Sequence, residues 1–278
     1  VELHLEQGKY QAALKTLKGF QASDSTSTMI KASVNLLEAR TLIALKQFDV
    51  AKDKLRTILA QQKLIVPSFI NSASLLLADV SIATAAPDDA VVILTGVIEN
   101  APSGGNVLPA FDRLSDAGFF KGTDGDVLLK KWQKSPKTEI NKPASFFDAA
   151  EQRLKADTRQ QALRLLSELQ GGNDPVAIRA NLMLSEMLIE NGDKKGAIEV
   201  LDQLRRLTDN ESVMDRINLV EAKAKYAAGE FQLAADRFAA IPEGAASNVA
   251  SYNSAVSSLR AGNDKKFLAQ AALLPEVT

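Results

Sequence analysis

The chain has 278 residues, with 33 Lys and Arg against 34 Asp and Glu, a formal net charge of -1, one His and no Cys. This balance lacks the basic footprint of a nucleic-acid binder, and the missing Cys removes disulfides, thiol catalysis, redox motifs and Cys-rich zinc sites. Strong helix formers dominate, aromatic residues make up 5%, and β-branched residues are not gathered into short alternating runs, so an all-α protein is expected.

In chain order, residues 1–21 read as the end of one helix and the whole of a second. The sequence opens at Val1 inside a helical pattern without a Met, so it is read as a fragment of an array that continues upstream, with a targeting segment there left open. Helical hairpins are then expected at about 28–62, 68–100, 106–136, 144–170, 174–207, 211–241 and 246–274. Asp174-Pro175 shows the local chemistry of a start: Asp accepts from orphan amides, and Pro fits the first helical position. Leu75–Leu77 and Val91–Leu94 are far short of the roughly 18 apolar residues that mark a membrane span.

The hairpins recur around a small residue near the start of each second helix. Gly8-Lys9-Tyr10 leads to Ala13, Lys46-Gln47-Phe48 to Ala51, Pro87-Asp88-Asp89 to Ala90, and Gly122-Thr123-Asp124 to Val127. Asp157-Thr158-Arg159 leads to Ala162, Gly192-Asp193-Lys194 to Ala197, Gly229-Glu230-Phe231 to Ala234, and Gly262-Asn263-Asp264 to Phe267. Successive anchors lie 38, 39, 37, 35, 35, 37 and 33 residues apart. Twelve before the anchors stand small residues: Ala39, Ala78, Ser115, Ala150, Ser185, Ala222 and Ala255. Eight before stand apolar ones: Leu5, Ile43, Ile82, Phe119, Leu154, Ile189, Tyr226 and Leu259. Four after come Leu17, Leu55, Leu94, Leu166, Leu201 and Phe238, with Lys131 and Ala271 as exceptions. Stacked helix pairs require such serial burial.

On the small residue of the first helix, the Gly-x-aromatic turn and the Ala of the second helix, the chain resembles the tetratricopeptide repeat family over nearly its whole length. Its mean spacing of about 36 sits beside the family's 34-residue period and below that of HEAT or armadillo units. The resemblance implies an all-α, right-handed superhelical solenoid of about seven to eight helix-turn-helix repeats. There are departures. The family's repeat-end Pro is matched only at Pro102 and, one position late, at Pro175, and bulky Phe20, Ile58, Val97, Leu169, Leu204 and Ile241 replace a small residue, which bears on superhelical twist.

One solenoid is expected over 1–278, with sub-arrays 1–102 and 144–278 joined by a degenerate repeat at 103–143. That joint holds Gly104, Gly105, Gly118, Gly122 and Gly125, a basic second helix with Lys130, Lys131, Lys134 and Lys137, and an interruption at Asn141-Lys142-Pro143. A long irregular connector is the alternative.

In the family, the first helix of each pair lines the concave surface where peptides dock. Eleven before the anchors this chain has Arg40, Asp79, Asp116, Glu151, Glu186 and Lys223, so four successive repeats carry a carboxylate, with Asp112 and Asp148 nearby. Read functionally, Asp79, Asp112, Asp116, Asp148, Glu151 and Glu186 form an acidic stripe that attracts a basic or amine-bearing partner segment; read plainly, they are a solvated helix face. The positions at which relatives grip a C-terminal carboxylate hold Leu37, Leu76, Arg113, Asp148, Met183, Val220 and Asn253, so that clamp is not expected. Trp132, Phe119 and Phe120 are read as filling the junction between sub-arrays, against an interface role. His4 lacks a catalytic or metal-binding companion, and Gly104-Gly105 and Gly171-Gly172 read as turns.

The leading expectation is a scaffold or adaptor that binds a protein or peptide, with no catalytic residues, cofactor or metal, and no nucleic acid or membrane insertion. Alternatives are an envelope assembly module of bacterial type, and an α/α-toroid carbohydrate-active enzyme using Asp116 and Glu151 as its carboxylate pair. The missing Cys favours a periplasmic or exported location over a cytoplasmic one. Partner, pathway and oligomeric state are not readable from the sequence.

Overall fold

Helix-forming stretches punctuated by turn residues fold into a succession of helix pairs. The computed structural model describes residues 1–20, 26–242 and 247–274; among these there are sixteen α-helices and no strands. The pairs are α1 (Glu2–Glu6) with α2 (Tyr10–Lys18), α3 (Thr28–Ala44) with α4 (Phe48–Ala60), α5 (Pro67–Ala83) with α6 (Pro87–Glu99), and α7 (Leu108–Asp116) with α8 (Thr123–Gln133). They continue with α9 (Thr138–Arg153) and α10 (Arg159–Glu168), α11 (Pro175–Glu190) and α12 (Lys194–Leu207), α13 (Glu211–Ala227) and α14 (Phe231–Ala239), and α15 (Ser247–Arg260) and α16 (Asp264–Ala271). Helices pack on their neighbours in sequence order. Residue 21 of the first expected segment and residue 246 of the last lie outside the described residues.

Two compact units form, residues 1–147 and 148–278, and the division falls inside α9. The segment 103–143 belongs to the first unit.

The turn within a pair follows one hydrogen-bond scheme. At Gly192 (φ 85°) the Asp193 amide donates to the Leu188 carbonyl (2.9 Å) and the Gly192 amide to that of Ile189 (3.0 Å). These two bonds satisfy carbonyls that the helix end leaves open, and the left-handed residue makes them reachable. Equivalent bonds close the turns at Gly8, Lys46, Ala85, Gly229 and Gly262. Several starts are capped as their sequence implies: Asp174 Oδ1 accepts from the amides of Val176 and Ala177 (3.0 and 3.1 Å).

Burial follows the register. Ala13, Ala51, Ala90, Ala162, Ala197 and Ala234 are all buried, as are Leu17, Leu55, Leu94, Leu166, Leu201 and Phe238 four residues on. Each fully buried Leu contributes about 1.5–3 kcal/mol relative to exposure. The bulky residues three further on, Ile58, Val97, Leu169, Leu204 and Ile241, are buried too, whereas Phe20 is exposed. Eight before the anchors the match is poorer, since Ile82, Leu154 and Leu259 are exposed.

The fourth pair departs from expectation at two places. Val127, expected as the buried anchor, is 60% exposed; the residue against the preceding turn is Gly125, where an added Cβ would lie 2.2 Å from the Phe119 carbonyl oxygen. With Gly125 as anchor, Leu129 and Trp132 fall four and seven residues on, both buried, and Lys131 is no longer an exception. The expected break at Pro143 is absent, because α9 runs through it. A Pro there removes one backbone bond at a cost of about 3 kcal/mol. Ile140, Ala144 and Phe147 are buried at one-turn spacing and supply the offset.

In the first unit Phe111 is the hub of an aromatic cluster. Its ring lies edge-on to Trp132 (centroids 5.2 Å) and stacks on Phe147 (5.6 Å), and Phe120 packs 5.6 Å from Phe147. Trp132 and Phe120 are therefore core residues of this unit, and only Phe119 keeps appreciable exposure. In the second unit, Leu182, Leu201, Leu204, Ile217 and Val220 make one apolar cluster, and Ala222, Ala234, Phe238, Ile241 and Ala250 make the next.

Candidate functional site

The six carboxylates of the expected stripe have different surroundings. In the first unit, Asp79 on α5 takes two hydrogen bonds from Arg113 on α7, Nε to Oδ1 at 2.7 Å and Nη2 to Oδ2 at 2.9 Å. This fork geometry suits a guanidinium and a carboxylate, and both hydrogen bonds are charge-assisted. Asp79's hydrogen bonds hold the Arg113 guanidinium above its usual pKa despite partial burial, and the charges of Asp79, Asp112 and Asp116 add to the effect. Asp79 holds the guanidinium, while Asp112, half-buried, and Asp116, exposed, act on it through charge alone.

In the second unit, Glu186 on α11 joins two other first helices. Lys223 Nζ on α13 donates to its Oε1 at 2.7 Å, and Arg153 Nη1 on α9 donates to its Oε2 at 3.2 Å. Burial pushes the Glu186 carboxyl up, but Lys223 and then Arg153 outweigh it, and its pKa lies below the ordinary value. Arg153 Nη2 also reaches Glu190 Oε1 (2.6 Å), whose other oxygen accepts from Arg159. Beyond these, Glu221 accepts from Arg205 (2.6 Å) and Arg237 (3.1 Å).

The remaining two stripe residues differ again. Asp148 is 1% exposed and accepts from Gln152 Nε2 at 3.2 Å, so it is a core group and offers no surface to a partner. Glu151 is half-buried. The structure therefore groups Asp79, Asp112 and Asp116 around Arg113, turns Glu186 into an internal brace, and leaves Asp116 the most exposed of the six.

Sequence reasoning missed the cations that hold these carboxylates. Asp79 and Arg113 are 34 residues apart, Arg153 and Glu186 33, and Glu186 and Lys223 37. Opposite charges separated by one repeat are the signal that finds them.

Three clefts open beside these helices. One of about 590 Å³ lies along α5 and α6 and is lined by Leu59, Ile65, Ile70, Val92 and the amides of Asn71 and Asn100. A second, of about 310 Å³, borders the basic run on α8. There Lys131 Nζ and Trp132 Nε1 both donate to Glu99 Oε1 (2.6 and 3.1 Å), and Lys137 Nζ donates to the Ala101 carbonyl (2.7 Å). Chiefly through the Lys131 hydrogen bond, the Glu99 pKa is lowered. The third, of about 280 Å³, is lined by Lys223, Tyr226, Phe238, Asn253 and Val256.

Among the described residues, no group of three His, Asp or Glu side chains is placed to hold a metal, and no helix is long and apolar enough to cross a membrane. No family model matches the chain, and no curated protein matches it.

Proposed function

We propose that the chain is a tetratricopeptide-type solenoid and works as a protein-interaction scaffold or adaptor, holding a partner segment in the trough that its first helices line. The supporting observation is the lateral register of those helices. Charged residues one repeat apart meet side by side, as in Asp79 with Arg113 and Arg153 with Glu186 and Lys223. Within each unit a row of such helices offers a polar face built from successive helix pairs, the kind of surface repeat proteins use for binding.

The first unit gives this reading a sign. Asp79 is taken up by Arg113, and Asp116, exposed on the neighbouring first helix, is the carboxylate of this group that suits a basic partner segment. Affinity capture with the intact chain tests the reading, alongside the double variant Asp116→Lys with Glu151→Lys. A partner recovered at low salt by the parent chain is lost by the variant. Recovery of the same partner by both proteins sinks the acidic stripe, and capture of no partner sinks the scaffold.

A further inference from the structure

The cleft of about 590 Å³ along α5 and α6 lies wholly within the first unit, and its walls hold polar groups that the fold leaves unused. α5 and α6 run antiparallel about the turn at Ala85. Ser74 and Gly96 stand eleven residues either side of Ala85, and Asn71 and Asn100 stand fourteen and fifteen. Each pair therefore sits at about one level, and all four residues line the cleft. The two levels are about 5 Å apart along the helices.

Ser74 is the first residue that points to a ligand. Serines elsewhere in the chain's helices turn the hydroxyl back to the carbonyl four residues before, as Ser33 does to Met29 (2.9 Å), Ser72 to Ser68 (3.0 Å) and Ser185 to Asn181 (2.8 Å). Ser74 is only 9% exposed, and among the described residues nothing pairs with its hydroxyl. A hydroxyl buried to this degree costs free energy until something pairs with it, and the cleft is the side from which a partner can come. The Asn71 side chain is unpaired in the same way. Asn100 Oδ1 stays open as well, since that side chain uses only Nδ2, which donates to the Gly96 carbonyl (2.9 Å).

Gly96 is the second. It lies inside α6, where Gly disfavours the helix relative to Ala. No packing requires it, because a Cβ there would meet nothing closer than Asn100 Nδ2 at 4.0 Å. The bare backbone leaves the cleft open at the level of Ser74, which is what close approach of another main chain needs.

We infer that this cleft binds an extended segment of a partner protein, its main chain against Ser74, Asn71 and Asn100 and its apolar side chains on Ile70 and Val92. A hydroxyl and two carboxamides can each donate and accept, which matches the alternating N–H and C=O groups of a peptide. From Val92 to Asn100 the cleft follows eight residues of helix, about 12 Å, the span of about four extended residues. Val92 is 73% exposed, and Leu64 and Val66 just before α5 are exposed too, so the rim is apolar. Lys63 is the one charged residue among those that line the cleft, so an acidic residue at that end of the segment completes the fit.

This deepens the protein-binding reading and rests on it, at a cleft walled by a second helix as well as a first. The test uses the intact chain and labelled peptides followed by fluorescence anisotropy. The probe carries Asp-Val-Leu-Val in a Ser/Gly background; a second peptide has the Val-Leu-Val amides N-methylated, and a third has Lys for Asp. The probe binds, and both altered peptides bind more weakly. Ser74→Ala and Gly96→Ala, each checked for parental or higher helicity, weaken the probe by about fivefold or more, although both changes favour the helix. Ser72→Ala, on α5 but outside the cleft, leaves binding unaltered. Equal binding of the N-methylated or the Lys peptide, or full binding by the Ser74 or Gly96 variant, overturns the inference. Binding of dodecanoate without binding of the probe overturns it in favour of an aliphatic-acid site. If no peptide binds while the intact chain still captures a partner, the cleft fails as a peptide site and the scaffold reading stands.

Discussion

Lys46 and Ala85 adopt the left-handed backbone that Gly8, Gly192, Gly229 and Gly262 supply at the equivalent turns, with φ of 58° and 56°. A Cβ in that conformation crowds the carbonyl that follows. Lys46→Gly or Ala85→Gly should each raise stability by about 0.5–1 kcal/mol, the relief of strain less the entropy Gly adds to the unfolded chain. Gly192→Ala should lower stability by a comparable amount. Urea midpoints measured on the three variants check both directions. Glu186 makes a different residue-scale prediction. Its folded pKa lies below the ordinary 4.5, so the stability it contributes is complete above that pH and drains away as pH falls through the folded value. Glu186→Gln should therefore lose less stability than the parent on acidification below pH 4.5. A steeper acid slope in the variant refutes the brace.

Among the elements, α8 shows how a register is set. Gly125 leaves room for the Phe119 carbonyl, and no side chain can replace it without moving backbone. Gly125→Ala should cost about 1–3 kcal/mol as an overpacked contact, while exposed Val127→Asp should change stability by about 0.5 kcal/mol or less. Thermal melts of the pair distinguish the two anchors. The Ala anchors and the Leu residues four positions later were legible in the sequence because close helix packing demands a small residue, and the stripe behind it must be apolar. α8 was not, because Gly125 looked like turn punctuation and Val127 like a small core residue. α9 misled in the same way: Pro143 reads as a break, and only burial of Ile140, Ala144 and Phe147 shows what offsets it. For the candidate site, the carboxylates were visible as a column at one repeat position. Their state was not, because Arg113, Arg153 and Lys223 reach them from neighbouring repeats.

For the whole molecule, stability follows from neighbours. A helix is protected in proportion to the burial that its packed neighbours give it. Neither α1 nor α16 has a buried residue, whereas α5 and α11 are buried along much of their length. Amide exchange should be fastest in α1 and α16 and slowest in the middles of α5 and α11. Equal protection throughout would contradict serial packing.

The single indole of the chain has an optical consequence. Trp132 is 3% exposed, lies edge-on to Phe111, and donates its ring N–H to Glu99. All tryptophan emission therefore originates at one address. Its colour and its shielding from iodide quenching read out the aromatic centre of residues 1–147 without a label, and a partner that disturbs that centre announces itself as a spectral shift.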